Sequence, residues 1–551
     1  MKKKNTGWII LFLAPTCIIF LLIFAIPLVM VFGTSLFDYR LLPRTFEFVG
    51  LDNFVKLFTQ DPKFWGIFRN TLVWILIHCV LHVFMGTLLA FILYKKPKGW
   101  KFVRVTYMIP NIISQSAIAM IFLNFFNPQY GALNSILKLL GLESLQHNWL
   151  FENGTAFPSV TMTWFLFAGY TTTLVLAQCL STDASIIEAA KVDGATSFQI
   201  DVLVMFPMVK RMVGTTVIMA ATYMLQMFSM LYITTGGGPG STTTNLPLYL
   251  YTTMKSNNYG YANAIGVIII AMEMKTESGK KIFRVLAYVF MASCVIVALF
   301  PIFWVILSSF KTNKEILSNG LALPKSFGFD GYVQALEMAP ILKFFGNSLI
   351  VAIITTVLNV FFLSMAGYVF AKKQFRCKNL IFAILSLSMV LPTTALMNPV
   401  YSVITKLGLY DTKAALILVY TALNMPISLM ILRSAFASIP KELEEAAYID
   451  GAGFFRTFIQ VMMPCAKGGL ASAGVLTFLE SWNEFTFALL LTSSADTRTL
   501  PLSLSYFTSQ FSFNYTAMFA AITIAVIPSI IVFAIFQEQV CASMTAGSVK
   551  G

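Results

Sequence analysis

The sequence predicts an all-α integral membrane protein in which two similar helical bundles follow each other along one chain. Three observations support this prediction. The 551 residues are 57% hydrophobic and only 11% charged, with a mean hydropathy of +0.77, whereas soluble domains carry about a quarter charged residues. Apolar runs of about 20 residues, the length that spans a bilayer as a helix, recur throughout the chain. One polar stretch also occurs twice, in matching surroundings.

The repeated polar stretch covers residues 188–207 and 445–464. The copies read EAAKVDGATSFQIDVLVMFP and EAAYIDGAGFFRTFIQVMMP, are offset by 257 residues (445 − 188) and share ten identities without a gap. In each copy a helix-favouring Glu-Ala-Ala run is followed by Asp-Gly, which predicts a short helix and a tight break. Such a helix at the membrane face suits a partner that grips it in a groove. A connecting loop without a partner is the weaker interpretation, since it would not need to keep this length and composition.

Twelve apolar runs predict the spans, six in each half, and because one of them is short about 11–12 helices are expected to cross the membrane. The predicted units are residues 1–272, with a transmembrane region from about 66 to 272, and residues 285–551, with a transmembrane region from about 344 to 536 and a tail over 537–551; residues 273–284 join them. The predicted spans are 8–36, 70–94, 103–126, 159–180, 212–235 and 261–272, then 285–310, 345–371, 380–404, 414–436, 469–492 and 515–536.

Basic residues gather in short loops, which explains the net charge of +14 without nucleic acid as a partner. The stretches 95–101 and 372–378 follow the second span of each half. Because Lys and Arg are enriched in cytoplasmic loops, this pattern predicts a multi-pass protein of the bacterial cell membrane. Its two termini, both polar repeats and the junction 273–284 are expected to face the cytoplasm.

The predicted sixth span, residues 261–272, is too short for a full crossing. Twelve residues cover roughly 18 Å as a helix, against a hydrocarbon core of about 30 Å. The following Met272-Glu273-Met274-Lys275 has the form of a natural chain start. We therefore predict that two genes were joined with loss of the end of the first. The alternative is a short helix that Lys275 extends by reaching to the interface.

Both polar repeats resemble the EAA–x3–G–x9–I–x–L–P motif of bacterial ABC-importer permeases, and the resemblance covers nearly the whole chain. It implies two tandem type I ABC-importer transmembrane bundles of the carbohydrate (maltose/oligosaccharide) type, with two companion permease subunits fused in one chain. The departures from the family pattern are the short sixth span and Asp183, which stands where the second copy has Pro440. The stretches that carry the resemblance are 204–207 and 461–464 at the motif ends, 235–240 (TGGGPG) in the first half, and 481–485 (SWNEF), 498–501 (RTLP) and 545–551 (TAGSVKG) in the second.

The resemblance implies the permease component of a binding-protein-dependent, ATP-driven sugar importer. Two copies of a separate ATPase would dock on the repeats, an external binding protein would deliver the carbohydrate, and ATP with Mg²⁺ would be bound by the ATPase and no cofactor by this chain. The chain has no G-x-x-x-x-G-K-[ST], whose lysine and glycines are needed to hold phosphate, so it is not expected to be an enzyme. The predicted docking residues are Glu188, Ala189, Ala190, Asp193, Gly194, Glu445, Ala446, Ala447, Asp450 and Gly451.

Sugar binding needs hydrogen-bonding groups and flat apolar faces in a pocket. The fifth span of the first half offers Tyr223, Gln226, Phe228 and Tyr232, and the resemblance places this span at the sugar site; Asn111 and Gln115 follow the Pro110 kink. Packing between helices is the alternative role for all six.

Charged and imidazole side chains also stand inside predicted spans. Trp482, Asn483 and Glu484 are candidates for gating or structural roles, and Glu480, one turn earlier, is expected to face a cavity or a partner because charge within a bilayer is costly. His78 and His82 are spaced to share a helix face but lack a third ligand nearby, so no metal site is predicted.

Three alternatives differ in what they require. An importer of glycerol phosphate or another small solute would call for Arg or Lys in the cavity. An ATP-independent secondary transporter would call for charged relays in several spans and no repeated cytoplasmic helix. A membrane-embedded enzyme would call for a catalytic polar cluster at depth. The spans contain few basic residues and the polar helix is repeated, which favours a neutral sugar and an ATP-driven importer.

Overall fold

The structure is a computed structural model, and it describes residues 6–164, 167–273, 299–389, 391–509 and 514–546. In these ranges the fold is helical apart from one antiparallel hairpin, Phe37–Leu41 with Arg44–Phe48. The all-α class is therefore confirmed. Most of the predicted junction 273–284 and residues 285–298 of the predicted seventh span lie outside the described residues.

Five helices are long and apolar enough to cross a membrane, and three further pairs of helices would do so if each bent pair is one span. At most eight candidate spans are thus found among the described residues, fewer than the 11–12 predicted, because several predicted spans are divided into shorter apolar helices. The five are Gly7–Thr34, Phe64–Tyr94, Ile200–Gln226, Ile341–Lys372 and Tyr515–Phe536; the shorter apolar helices are Tyr259–Met272, Leu299–Ser308 and Lys378–Leu387.

The predicted span 103–126 is broken into Trp100–Ile112 and Gln115–Phe125, which meet at 97°. Pro110 lies inside the first helix and has no N–H to donate. The hydroxyl of Ser114 accepts a hydrogen bond from the N–H of Ala117 at 3.2 Å and so starts the second helix. The prediction of one continuous span was wrong here, and the bend leaves backbone carbonyls near residue 112 free to meet another element.

Two more predicted spans are bent, and each bend is near a proline. Lys413–Leu423 and Met425–Ser438 meet at 53° and Phe454–Cys465 and Lys467–Asn483 at 80°, with Pro426 and Pro464 in the first turn of a helix at the break. The remaining described helices are Asp52–Thr59, Ala132–Leu139, Ala156–Met162, Gly169–Leu180, Ala184–Val192, Ser229–Thr234, Leu246–Lys255, Asn313–Ser318, Asp330–Met338, Met397–Lys406, Lys441–Ile449, Thr486–Leu491 and Leu500–Ser509.

The last helix runs over Tyr515–Ala546, so the beginning of the predicted tail 537–551 continues as helix. The backbone of Phe536 departs from helical geometry, which separates the apolar span from this extension. Residues 547–551 lie outside the described ranges.

The helix Gly7–Thr34 precedes the first bundle in sequence but packs against the second. Phe12 is fully buried, with its ring centroid 6.4 Å from that of Tyr368 in Ile341–Lys372 and 4.9 Å from that of Phe458. The two halves are therefore interlocked rather than merely adjacent.

The short sixth helix spans Tyr259–Glu273, 15 residues, three more than predicted. It bridges the halves where the amide of Asn398 donates to Asn263 at 3.0 Å. Its first turn is held by Asp61, which accepts a hydrogen bond from the hydroxyl of Tyr261 at 2.7 Å. Residues after 273 are not described, so the proposed loss of the end of this helix stays a prediction.

The environment of Asp61 predicts a pH-dependent contribution to stability. Partial burial raises the pKa of Asp61, but hydrogen bonds from the Tyr249 and Tyr261 hydroxyls and two backbone N–H groups outweigh it, and the pKa is lowered. A carboxylate with a lowered pKa stabilises the fold above its ordinary pKa of about 3.9, and this contribution is lost as the pH falls through the lowered value.

Asp61→Asn is therefore expected to lower the thermal unfolding midpoint of the solubilised chain by about 2 °C near neutral pH. The difference from the unsubstituted chain should shrink below about pH 3, where the carboxylate is protonated in both states. Intrinsic fluorescence during heating measures both. Asp52→Asn is the matched control, because Asp52 is an exposed partner of Lys56; a difference for Asp61→Asn that persists in acid would contradict the prediction.

Candidate functional site

Two nine-residue helices, Ala184–Val192 and Lys441–Ile449, occupy the repeated polar stretch at the offset of 257 residues. The first begins at Asp183, whose carboxylate accepts the N–H of Ser185 at 3.0 Å. The second follows Pro440 and carries acidic residues in its first turn, where the helix dipole favours negative charge. Two different starting devices therefore produce the same helix.

Both helices end in the same turn. Gly194 and Gly451 have φ of +75° and +79°, a left-handed conformation that favours glycine. The N–H of the residue after each glycine donates to the carbonyl five residues earlier, at 3.0 and 2.9 Å. The Asp-Gly pairs thus set the direction in which the chain leaves each helix.

The structure places most of the predicted docking residues at the surface. Ala447 is the exception, because it is buried against the bundle, and Ala190 is half-buried. The exposed residues are Glu188, Ala189, Asp193, Gly194, Glu445, Ala446, Asp450 and Gly451.

The most exposed apolar side chains of these helices were missed by the sequence prediction. Val192 is 87% exposed and Ile449, its counterpart at the offset of 257 residues, is 86% exposed. Ile186 and Leu443 form a second counterpart pair, also exposed. Apolar residues held in water at equivalent places are typical of an interaction surface. Their identical offset in the two copies was the available signal.

An ion pair fastens the first of these loops to its bundle. The ammonium of Lys95, just after the Phe64–Tyr94 helix, lies 2.6 Å from a carboxylate oxygen of Asp201. Asp201 is 9% exposed and follows the Asp-Gly turn. The contact therefore holds the chain after the turn, and leaves the Ala184–Val192 helix itself without this anchor.

A buried ion pair fastens the second loop through the helix itself. Glu444 is 4% exposed and pairs with the ammonium of Lys373, while the hydroxyl of Tyr368 also donates to it. The ammonium lies 5.0–5.3 Å from the ring centroids of Tyr368, Tyr448 and Phe454. Such a cation among aromatic faces is favourable when desolvated, so the Lys441–Ile449 helix is firmly attached to the second bundle.

The two halves face each other about a pseudo-two-fold axis. The hydroxyls of Ser229 and Thr486 lie 3.3 Å apart, and these residues are offset by the same 257 positions as the repeats. A residue contacts its own counterpart only at such an axis. The helices Phe206–Gln226 and Lys467–Asn483 lead to this point from either half.

The predicted cargo residues fall into two groups. Tyr223 and Gln226 are partly exposed near the end of the Phe206–Gln226 helix, as are Asn111 and Gln115 on either side of the bend in the third span. Phe228 is instead buried in the core, stacked on the half-buried Tyr232 with ring centroids 5.3 Å apart. The first group is positioned to line a cavity, whereas Phe228 has a packing role.

Asn483 ties the halves together at the bend of the first half. Its amide donates to the carbonyl of Ile112 at 2.6 Å, which is free because the helix ends there. Trp482 is buried and packs on Phe345. Glu484 caps the next helix by accepting N–H groups at 2.8 and 3.0 Å.

Glu480 and Tyr223 are counterparts at the offset of 257 residues and interact electrostatically, as do Glu480 and Tyr170. Glu480 lies deep within the molecule, yet its side chain is exposed. Both hold only if the side chain lines an internal cavity. The adjoining contact of Leu479 with Met108 places this cavity between the two halves.

His78 and His82 pack in the core with ring centroids 3.8 Å apart, and His78 also stacks on Tyr223. Within the described ranges no group of three or more His, Cys, Asp or Glu side chains is placed to hold a metal ion. The histidine pair therefore supports the wall of the cavity rather than a metal centre.

A family model matches this chain twice. Residues 82–274 and 363–545 each match the model of the binding-protein-dependent transport system inner membrane component. The two matches lie in the two halves that the repeats define, so the chain carries two copies of one membrane domain.

Curated relatives each correspond to about half of this chain. The probable ABC transporter permease YurM of Bacillus subtilis (strain 168) is 34% identical over 48% of this chain and 88% of its own length. The diacetylchitobiose uptake permease NgcG of Streptomyces coelicolor is 32% identical, over 50% and 91%. The trehalose/maltose permease MalG of Thermococcus litoralis is 35% identical, over 50% and 100%.

Among solved structures, a bacterial ABC transporter involved in the import of the acidic polysaccharide alginate is 24% identical with a TM-score of 0.42, over 46% of this chain and 95% of that one.

Proposed function

This chain belongs to the family of binding-protein-dependent transport system inner membrane components, and we propose that it is the permease of an ATP-driven saccharide importer, with both permease units in one polypeptide. The observation that carries the proposal is the double match to the family, in a chain whose halves meet about a pseudo-two-fold axis at Ser229 and Thr486. One chain then supplies both walls of a translocation pathway.

The Ala184–Val192 and Lys441–Ile449 helices are proposed to dock two copies of a separate ATPase. The exposed Val192 and Ile449 side chains give each helix an apolar contact, and the exposed Glu188 and Glu445 give each a charged one. A helix whose apolar side chains enter a groove is a common mode of recognition. ATP and Mg²⁺ would be bound by that partner, and closure of the two ATPase copies would move the bundles through these helices.

Saccharide cargo is proposed from two kinds of support. Relatives at 32–35% identity are named for diacetylchitobiose, arabinooligosaccharides and trehalose/maltose. The cavity between the halves combines Tyr170 and Tyr223 with the amides of Gln226 and Asn111, the mixture of aromatic faces and hydrogen-bonding groups that sugars require. An external solute-binding protein would deliver the cargo.

The proposed orientation has both termini and both docking helices in the cytoplasm. Basic residues 95–101 and 372–378 lie on the same side as these helices, because Lys95 and Lys373 pair directly with the docking loops. This arrangement agrees with the enrichment of Lys and Arg in cytoplasmic loops.

The test is sugar-stimulated ATP hydrolysis by the full chain in liposomes, together with the ATPase and solute-binding protein encoded beside it. Diacetylchitobiose, maltose and an arabinooligosaccharide are the probes, and at least one of them is expected to stimulate hydrolysis above the basal rate. Glycerol phosphate is the comparison cargo. Stimulation by glycerol phosphate and by no saccharide would contradict the assignment.

A further inference from the structure

The charge of the cavity differs between the halves. At one position of the repeat the first half carries Tyr223 and the second carries Glu480, offset by 257 residues. The pair faces each other across the axis, since the two side chains interact electrostatically. A phenol is neutral at neutral pH, so the axial position brings one carboxylate rather than two.

The carboxylate of Glu480 is not neutralised by its surroundings. Among the described residues it makes no hydrogen bond and no ion pair, and its electrostatic neighbours are Tyr170, Tyr223 and Glu484. Glu484 differs, because both of its oxygens accept backbone N–H groups at a helix start, where the dipole favours negative charge.

The position of Glu480 makes this charge effective at a distance. The side chain is exposed to a cavity that lies deep between the halves, where the surrounding protein has a low dielectric constant. A charge interacts more strongly in such surroundings than in water, and a cleft lined by one sign of charge concentrates its counter-ions.

We propose that Glu480 makes the cavity selective by charge, so that it admits neutral or amine-bearing saccharides and excludes anionic ones. The statement about cargo rests on the proposed function, whereas the charge selectivity of the cavity can be measured without any cargo. Its source is a single residue of the second half, acting opposite Tyr223 of the first.

The test is the reactivity of a cysteine placed in the cavity. The seven natural cysteines are replaced by alanine in the full chain, and Tyr223→Cys is added, with Gln226→Cys as a second probe in case the first variant fails to fold. Each is treated in liposomes with cationic trimethylammonioethyl methanethiosulfonate and with anionic sulfonatoethyl methanethiosulfonate. The ratio of the two rates is normalised to the ratio for a free thiol in solution.

The normalised ratio should favour the cation, and adding Glu480→Gln should reduce it by about tenfold. Glu143→Gln is the matched control, since Glu143 is exposed in a loop outside the bundles, and it should leave the ratio unchanged. A ratio unaffected by Glu480→Gln, or cysteines that neither reagent reaches, would overturn the proposal. Because the reagents report on the cavity alone, such a failure is distinguishable from a failure of saccharides to stimulate ATP hydrolysis.

Discussion

Val192→Asp and Ile449→Asp, combined in one chain, are expected to abolish recovery of the ATPase partner with this protein. Each wild-type side chain is more than four-fifths exposed in the isolated chain, so burying it in a groove would contribute roughly 1.5–3 kcal/mol. This corresponds to a loss of affinity of about 10- to 100-fold for each single substitution. Aspartate adds the cost of burying a charge, so the double variant should be weaker still.

The measurement is titration of the immobilised full chain with the purified ATPase. Val55→Asp is the matched control, because Val55 is an exposed valine on the short helix Asp52–Thr59, away from both loops. Unchanged ATPase binding by the double variant would refute the docking role of these helices. Loss of binding in the Val55→Asp control would show that the effect is not local.

Glu444→Ala is expected to detach the second docking helix and leave the first in place. The substitution strands the ammonium of Lys373, whose side chain is 12% exposed, without its partner. Breaking a buried pair in this way costs about 3–5 kcal/mol. Coupled ATP hydrolysis should fall strongly, and proteolysis should cut within residues 441–451 but not within 184–194.

Two further variants separate the role of the pair from general loss of stability. Glu442→Ala, in the same first turn but exposed, should have little effect. Glu444→Leu combined with Lys373→Met should recover the unfolding temperature, because an apolar pair of similar volume often replaces a buried ion pair without loss. Equal proteolysis of both loops in Glu444→Ala would contradict the asymmetry.

The fold class and the paired helices were predictable because their signals are local. Glu-Ala-Ala followed by Asp-Gly favours a short helix and a left-handed turn whatever surrounds it, and long apolar runs are unmistakable. The bends were harder, since a proline within an apolar run is compatible with a kinked or a broken span. Pro110 lies within its helix, and the break follows at Ile113.

The parts of the site that depend on distant contacts were not predictable in the same way. Nothing local indicates that Lys373 pairs with Glu444, 71 residues later, or that Phe228 packs inward while Tyr223 reaches the cavity. The repeat, however, held more information than its motif. The offset of 257 residues also relates Val192 to Ile449, Ser229 to Thr486 and Tyr223 to Glu480, and these pairs proved to be equivalent or touching positions.

The packing of the Gly7–Thr34 helix on the second bundle sets an order for biogenesis. Trp8 stacks on Phe454 with ring centroids 5.9 Å apart, yet Phe454 leaves the ribosome about 450 residues later. At 5–20 residues per second that interval is roughly 20–90 s, during which the earlier helix must stay in the bilayer without its final neighbours. Fusion of the halves makes this waiting productive, because the awaited surface arrives on the same nascent chain and no second subunit has to be found by diffusion.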